Sequence, residues 1–94
     1  MPKYVLLTNL TDDGAKTIKE KPERIAEVDR EMEALGVKVL MQLAVLGKYD
    51  FVNVVEAADN ITIATASLEL ARRGTLRIHT MPAIELDEFI ASLK

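Results

Sequence analysis

Two apolar runs, Val37–Leu46 and Phe51–Glu56, are separated by only Gly47-Lys48-Tyr49-Asp50. A glycine beside charged residues between two such runs predicts a β-hairpin. Gly47 supplies the positive φ that a tight connection needs. Asp50 is suited to accept hydrogen bonds from turn amides. Tyr49 has a ring to pack on a neighbouring element and a hydroxyl for a wet edge. The hairpin fixes two antiparallel neighbours, so the rest of the chain must build outward from them.

What flanks the hairpin completes a symmetrical pattern. Tyr4–Leu10 is a short, nearly continuous apolar run, as expected of a central strand. Thr11 then offers a hydroxyl cap, and Asp12 and Asp13 suit the positive end of a helix. Pro22 interrupts the helical spacing, which predicts a short helix near 12–20 and a longer one from about 23 to 35. Ile18, Ile25, Val28, Met32 and Leu35 give both pieces one apolar stripe. After the hairpin, Asp59 is the expected N-cap of another helix that ends at Gly74. Thr75–Met81 is expected as the fourth strand, closed by Pro82. Leu86, Phe89, Ile90 and Leu93 then mark a short C-terminal amphipathic helix.

The order β-α-β-β-α-β is that of an α+β, ferredoxin-like sandwich with an antiparallel sheet, here with a short helix appended. The whole chain, 1–94, is expected to be one domain. Right-handed crossovers put both helical segments on one sheet face. The other face is then left uncovered, and its expected members are Leu40, Ala44, Phe51, Val55 and Met81. These are too apolar for a wet surface. A second copy of the chain is the simplest cover, and a sheet-to-sheet dimer would enclose a small space. With 94 residues, only roughly 60–65% of the unfolded surface is buried on folding, so association would also supplement a thin core.

Composition removes several function classes. There is no cysteine, which excludes disulfides and thiolate metal sites. The net charge of −3 gives no general attraction to nucleic acid or anionic lipid. No apolar segment approaches the roughly 20 residues that span a bilayer. Met1-Pro2-Lys3 leads into a strand-like run rather than a leader, so a cytoplasmic location is expected. No metal or cofactor is expected: there is no His-x-x-x-His pair, no calcium loop and no phosphate loop.

The run Tyr4-Val5-Leu6-Leu7-Thr8-Asn9-Leu10-Thr11 with Gly14, the Lys21-Pro22-Glu23-Arg24 break, and Gly47-Lys48-Tyr49-Asp50 together resemble the GYD family. That family is named for the glycine, tyrosine and aspartate that match Gly47, Tyr49 and Asp50. The resemblance covers nearly the whole chain. It implies a ferredoxin-like protomer of the dimeric α+β barrel type, and it brings no established reaction to transfer.

The residues themselves suggest one candidate site. Arg77 and His79 are two apart on one strand and face the same way. Gln42 and Asn53 are expected on the uncovered faces of their strands, beside that pair. One cation, one imidazole and two amides among apolar residues suit a small anionic or carbonyl-bearing ligand. Tyr49 and Asp50 would contribute from the turn. A polar rim around a dimer interface explains the same residues without a ligand. His79, the only histidine, is the one candidate catalytic base, but the sequence names no carboxylate to orient it.

The reading that follows is a small homo-oligomer, non-catalytic, holding a metabolite between subunit sheets. Two others share the fold class. Dimeric α+β barrels include cofactor-independent monooxygenases and isomerases, in which Arg77, His79 and Asn53 would polarise a carbonyl or take a proton. Val5–Leu10 and Gly47–Val54 also echo the two strands of an RNA-recognition motif, with Tyr49 and Phe51 as stacking rings. Leu6 where that motif has an aromatic, and the acidic balance, oppose single-stranded RNA.

Overall fold

The computed structural model describes all residues, 1–94. The elements run β1 (Lys3–Leu10), α1 (Asp12–Glu20), α2 (Arg24–Ala34), β2 (Lys38–Ala44), β3 (Phe51–Glu56), α3 (Asn60–Ala71), β4 (Leu76–Ala83) and α4 (Leu86–Ser92). The local signals act where the sequence placed them. Thr11 caps α1 by accepting from the Gly14 amide at 3.1 Å. Asp59 caps α3 by accepting from the Thr62 amide at 2.9 Å and from its hydroxyl at 2.7 Å. Pro22 falls in the break between α1 and α2. Pro82, however, does not end β4: the strand runs on to Ala83. An edge strand has an unpaired side, so a residue without an N–H is tolerated there.

The four strands form one antiparallel sheet in the order β2-β3-β1-β4. β1 and β2 therefore run parallel with β3 between them, and β3 and β4 run parallel with β1 between them. These are two interlocked split βαβ units, the ferredoxin-like arrangement. No helix is long and apolar enough to cross a membrane.

The register decides which side chains meet the helices. Tyr4 lies opposite Val55, Leu6 opposite Asn53 and Thr8 opposite Phe51. Thr8 also faces Ile78, and Leu10 faces Leu76. Directly opposed residues share a sheet face, and this is the covered one. Tyr4, Leu6 and Val55 are buried with Met32, Ile63, Ala66 and Leu70 of the helices. The Tyr4 hydroxyl donates to Asn60 Oδ1 at 2.7 Å, which satisfies the polar tip of a buried ring. Ser67 and Thr80 meet at 3.1 Å and tie α3 to β4.

Between α2 and α3 the join is ionic. Glu31 is held by Arg24 at 2.9 Å and by Arg73. Partial burial would raise the Glu31 carboxyl, but the hydrogen bonds from Arg73 and Arg24 outweigh it and hold the group below its ordinary value of 4.5.

The molecule is longer than a compact chain of its size. Its radius of gyration is 14.1 Å, against roughly 12 Å expected for this length. Every residue of α4 is exposed, and Leu46 at the hairpin tip is wholly in solvent.

Candidate functional site

The helix layer covers one face of the sheet and nothing in the chain covers the other. The bare face is built from the alternate residues of each strand: Val5 and Leu7 of β1, Val52 and Val54 of β3, Met41 and Leu43 of β2, and His79 and Met81 of β4. Leu43 is 50% exposed and Met41 55%. Toward the Lys3 end the face becomes an open groove of about 330 Å³, lined by Leu40, Met41, Val54, Ile84 and Leu86 among others. The segment leading into α4 lies along this groove, anchored by the Lys3–Glu85 ion pair. Beyond it, Phe89, Ile90 and Leu93 project an apolar stripe with no counterpart in the same chain: Phe89 is 49% exposed and Leu93 70%. The tail helix thus sets an unpartnered apolar stripe next to a bare apolar sheet, more contiguous apolar surface than isolated exposed side chains give.

At the other end of the bare face is a polar group built from β1, β4 and the hairpin turn. Asn9 lies opposite Arg77, and Leu7 opposite His79. The Tyr49 ring meets the His79 ring edge-on, with centroids 5.6 Å apart and planes at 72°. Lys48 Nζ lies 5.6 Å from the Tyr49 centroid, within cation–π range. Tyr49 and His79 are thus in contact, and Arg77 lies two residues along the same face of β4.

Gln42 and Asn53 do not join them. The two share a face, as expected, and lie directly opposite each other, but on the helix side of the sheet. Gln42 Nε2 donates to Asp29 Oδ1 of α2 at 2.9 Å. Asn53 is buried among the core residues, 7% exposed. Ala44, Phe51 and Val55, expected on the uncovered face, also turn toward the helices. Leu40 and Met81 are on the open side as expected. A β-bulge between Val39 and Met41 lets Leu40 and Met41 both reach the open side, because the extra residue resets the alternation. The RNA-like reading accordingly loses Phe51, whose ring points into the fold rather than onto an open platform.

Asp50 has a structural task. Its Oδ2 accepts from the Leu10 amide at 2.8 Å, and its own amide donates to the Thr8 carbonyl at 2.9 Å. Asn9 Nδ2 donates to the Lys48 carbonyl at 2.6 Å. Gly47 has φ +112°, the left-handed region expected of it. The turn therefore staples the β2–β3 hairpin to the end of β1 and delivers Tyr49 to the bare face. Asp50→Ala leaves the Leu10 amide without its partner and should cost about 1–2 kcal/mol. Asp50→Asn keeps an acceptor oxygen and should cost less; urea unfolding of the two variants beside the parent checks the order.

A family model described as the GYD domain matches residues 4–93, essentially the whole chain. The chain belongs to the GYD family. A relative from Thermus thermophilus is 54% identical over 95 residues, spanning all of both chains, and is named a glutamine synthetase and cystathionine beta-lyase binding protein. Among solved structures, a dimeric ferredoxin-like protein from an uncultured marine organism is similar, with 9% identity, a TM-score of 0.43, and coverage of 90% of this chain and 94% of that one. In this GYD chain, then, the family letters Gly47, Tyr49 and Asp50 combine a turn, a staple and one ring of a surface cluster. The contributors that the sequence missed are Val5, Leu7, Met41, Leu43, Val52 and Val54. The available signal was that β1 and β3 are apolar on both faces, the mark of a sheet covered on both sides.

Proposed function

We propose that this protein is a non-catalytic adaptor of the cytoplasm, which assembles with copies of itself through the bare sheet face and binds a metabolic enzyme. The observation that carries the reading is the bare face, with its adjoining apolar tail helix. In a sheet-to-sheet pair, Val5, Leu7, Val52 and Val54 of each copy would form the centre of the interface, and α4 would lay its Phe89, Ile90 and Leu93 stripe on the neighbour. The depletion of charge at the centre, with Lys3, Glu56 and Arg77 toward the edges, is the ordinary anatomy of an interface. The enzyme-binding part is supported by the 54% identity, over full length, to a relative named for binding glutamine synthetase and cystathionine beta-lyase.

The test is direct. Purified protein is mixed with glutamine synthetase, and separately with cystathionine beta-lyase, from the same organism and followed by size-exclusion chromatography with light scattering. Co-elution with either enzyme is the expected result. Absence of a complex with both at about 10 micromolar would remove the adaptor reading.

A second reading is carried by the contact of Tyr49 with His79 beside Arg77. In a paired sheet this cluster, with Asn9, would border a space suited to a small anionic ligand. Native mass spectrometry of protein purified from its host tests this: a bound small molecule lost in Arg77→Ala supports it, and bare oligomer alone rejects it.

A further inference from the structure

The bare side of the sheet is charged unevenly from end to end, and we propose that this fixes how two copies meet: with their strands antiparallel, so that α4 of each copy sets Asp87 against Arg77 of the other. The inference rests on the pairing through the bare face proposed above and gives that pairing a direction.

The strand register sorts the charges. At one end Lys3 lies opposite Glu56 and Ala83, and Glu56 opposite Lys38. The chain passes from Ala83 into α4 at Leu86, so Glu85, Asp87 and Glu88 belong to this end. The hydrogen bond to Glu85, with the charges of Glu85, Glu56 and Glu88, raises the Lys3 ammonium above its ordinary value. Several carboxylates therefore share one cation there. At the other end Asn9 lies opposite Arg77, and the hairpin turn adds Lys48 over the Tyr49 ring. The one carboxylate of that turn, Asp50, is occupied by the Leu10 amide. Arg77 and Lys48 have no ion-pair partner in the chain, and neither have Asp87 and Glu88. One end thus carries spare carboxylates and the other spare cations.

Two identical faces close about a two-fold axis, and aligned sheets can do so in two ways. An axis along the strands brings like ends together, spare carboxylates against carboxylates and cations against cations. An axis across the strands brings each α4 to the hairpin end of the other copy, where opposite charges meet. Like charges placed across an interface oppose association, so the charges select the second arrangement. Within α4, the 3.6-residue turn puts Asp87 on the Ile90 side of the apolar stripe and Glu88 nearly opposite that stripe. Asp87 is therefore the carboxylate that the stripe carries with it onto a neighbour. The stripe goes to the end where Leu46 stands wholly in solvent, so two apolar groups without partners in their own chain are brought to one place. The anion that Tyr49, His79 and Arg77 suit is then a carboxylate of the second copy.

Charge reversal tests the direction. Arg77→Glu and Asp87→Arg each change an exposed side chain, so both variants should fold, which circular dichroism checks. Association is measured by sedimentation velocity over a dilution series for the parent, for each variant, and for the two variants mixed in equal amounts. Each variant alone should associate at least about tenfold more weakly than the parent, since its pair sets like charges together at both contacts. The mixture should recover to within about threefold of the parent, because both contacts of a mixed pair again join opposite charges. Variants that associate as strongly as the parent would overturn the antiparallel arrangement, and so would a mixture no stronger than the variants alone. In either case an associated parent leaves the bare-face pairing standing. A parent that is monomeric throughout overturns both.

Discussion

Gly14→Ala is expected to destabilise the protein by at least about 3 kcal/mol, a fall in Tm of roughly 12 °C or more for a chain of this length. Helix propensity alone predicts the opposite, because alanine is better than glycine inside a helix by about 1 kcal/mol. The approach of β4 reverses the sign. A Cβ on Gly14 would lie 1.8 Å from the Thr75 carbonyl oxygen and 2.8 Å from its carbon, and a backbone carbonyl cannot swing aside as a side-chain tip can. The first turn of α1 is also bonded to that segment: the Thr11 amide donates to Thr75 O at 3.0 Å and the Thr11 hydroxyl donates to Gly74 O at 2.8 Å. Relieving the clash means breaking these bonds. Gly47→Ala is the control. Nothing lies within 4 Å of its added Cβ, so only the strain of φ +112° remains, about 1–2 kcal/mol. Thermal unfolding of both variants checks the order; equal losses would mean that the close approach of α1 to β4 is not a constraint on the fold.

The second large effect belongs to the bare face. Val54→Lys places a charge at the middle of the proposed interface between copies, on an interior strand of the sheet. Leaving a charge unpaired in an apolar interface should weaken self-association at least about a hundredfold, equivalent to some 2.7 kcal/mol. The isolated protomer should feel much less, since Val54 faces away from the helices and is only partly buried. The expected outcome is therefore a folded monomer: retained circular dichroism with a reduced sedimentation coefficient. Phe89→Ser tests the tail helix in the same assay and should give a smaller shift, because one side chain is truncated and no charge is introduced. A Val54→Lys protein that associates as strongly as its parent would take the bare face out of the interface.

The architecture was legible from local chemistry. The Asp59 cap, the Pro22 break and the hairpin at Gly47 are decided by a few neighbouring atoms, and each acts as its residue type suggests. That Gln42 and Asn53 lie on one face followed from the same hairpin. Which face of that pair meets the helices did not. Phe51, Asn53 and Val55 alternate with Val52 and Val54, and both sets are apolar enough to be buried, so the pattern carried no polar label for the outside. Asn53 suggested a wet face and instead sits in the core, the placement that leaves its carbonyl oxygen without a partner. The bulge between Val39 and Met41 likewise has no mark in the sequence, since neither glycine nor proline stands there. On β4, where Arg77 and His79 alternate with Leu76 and Ile78, charge separated the two faces and the assignment was correct. Alternation is informative only where one of the two faces is wet.

That same ambiguity bears on function. A sheet apolar on both faces, in a chain that covers only one, is the ground for the proposed pairing of copies. Sedimentation velocity of the unmodified protein from about 1 to about 100 micromolar measures this most directly. A dimer or higher multiple that persists through the lower end of that range is the predicted result; a monomer throughout would contradict it.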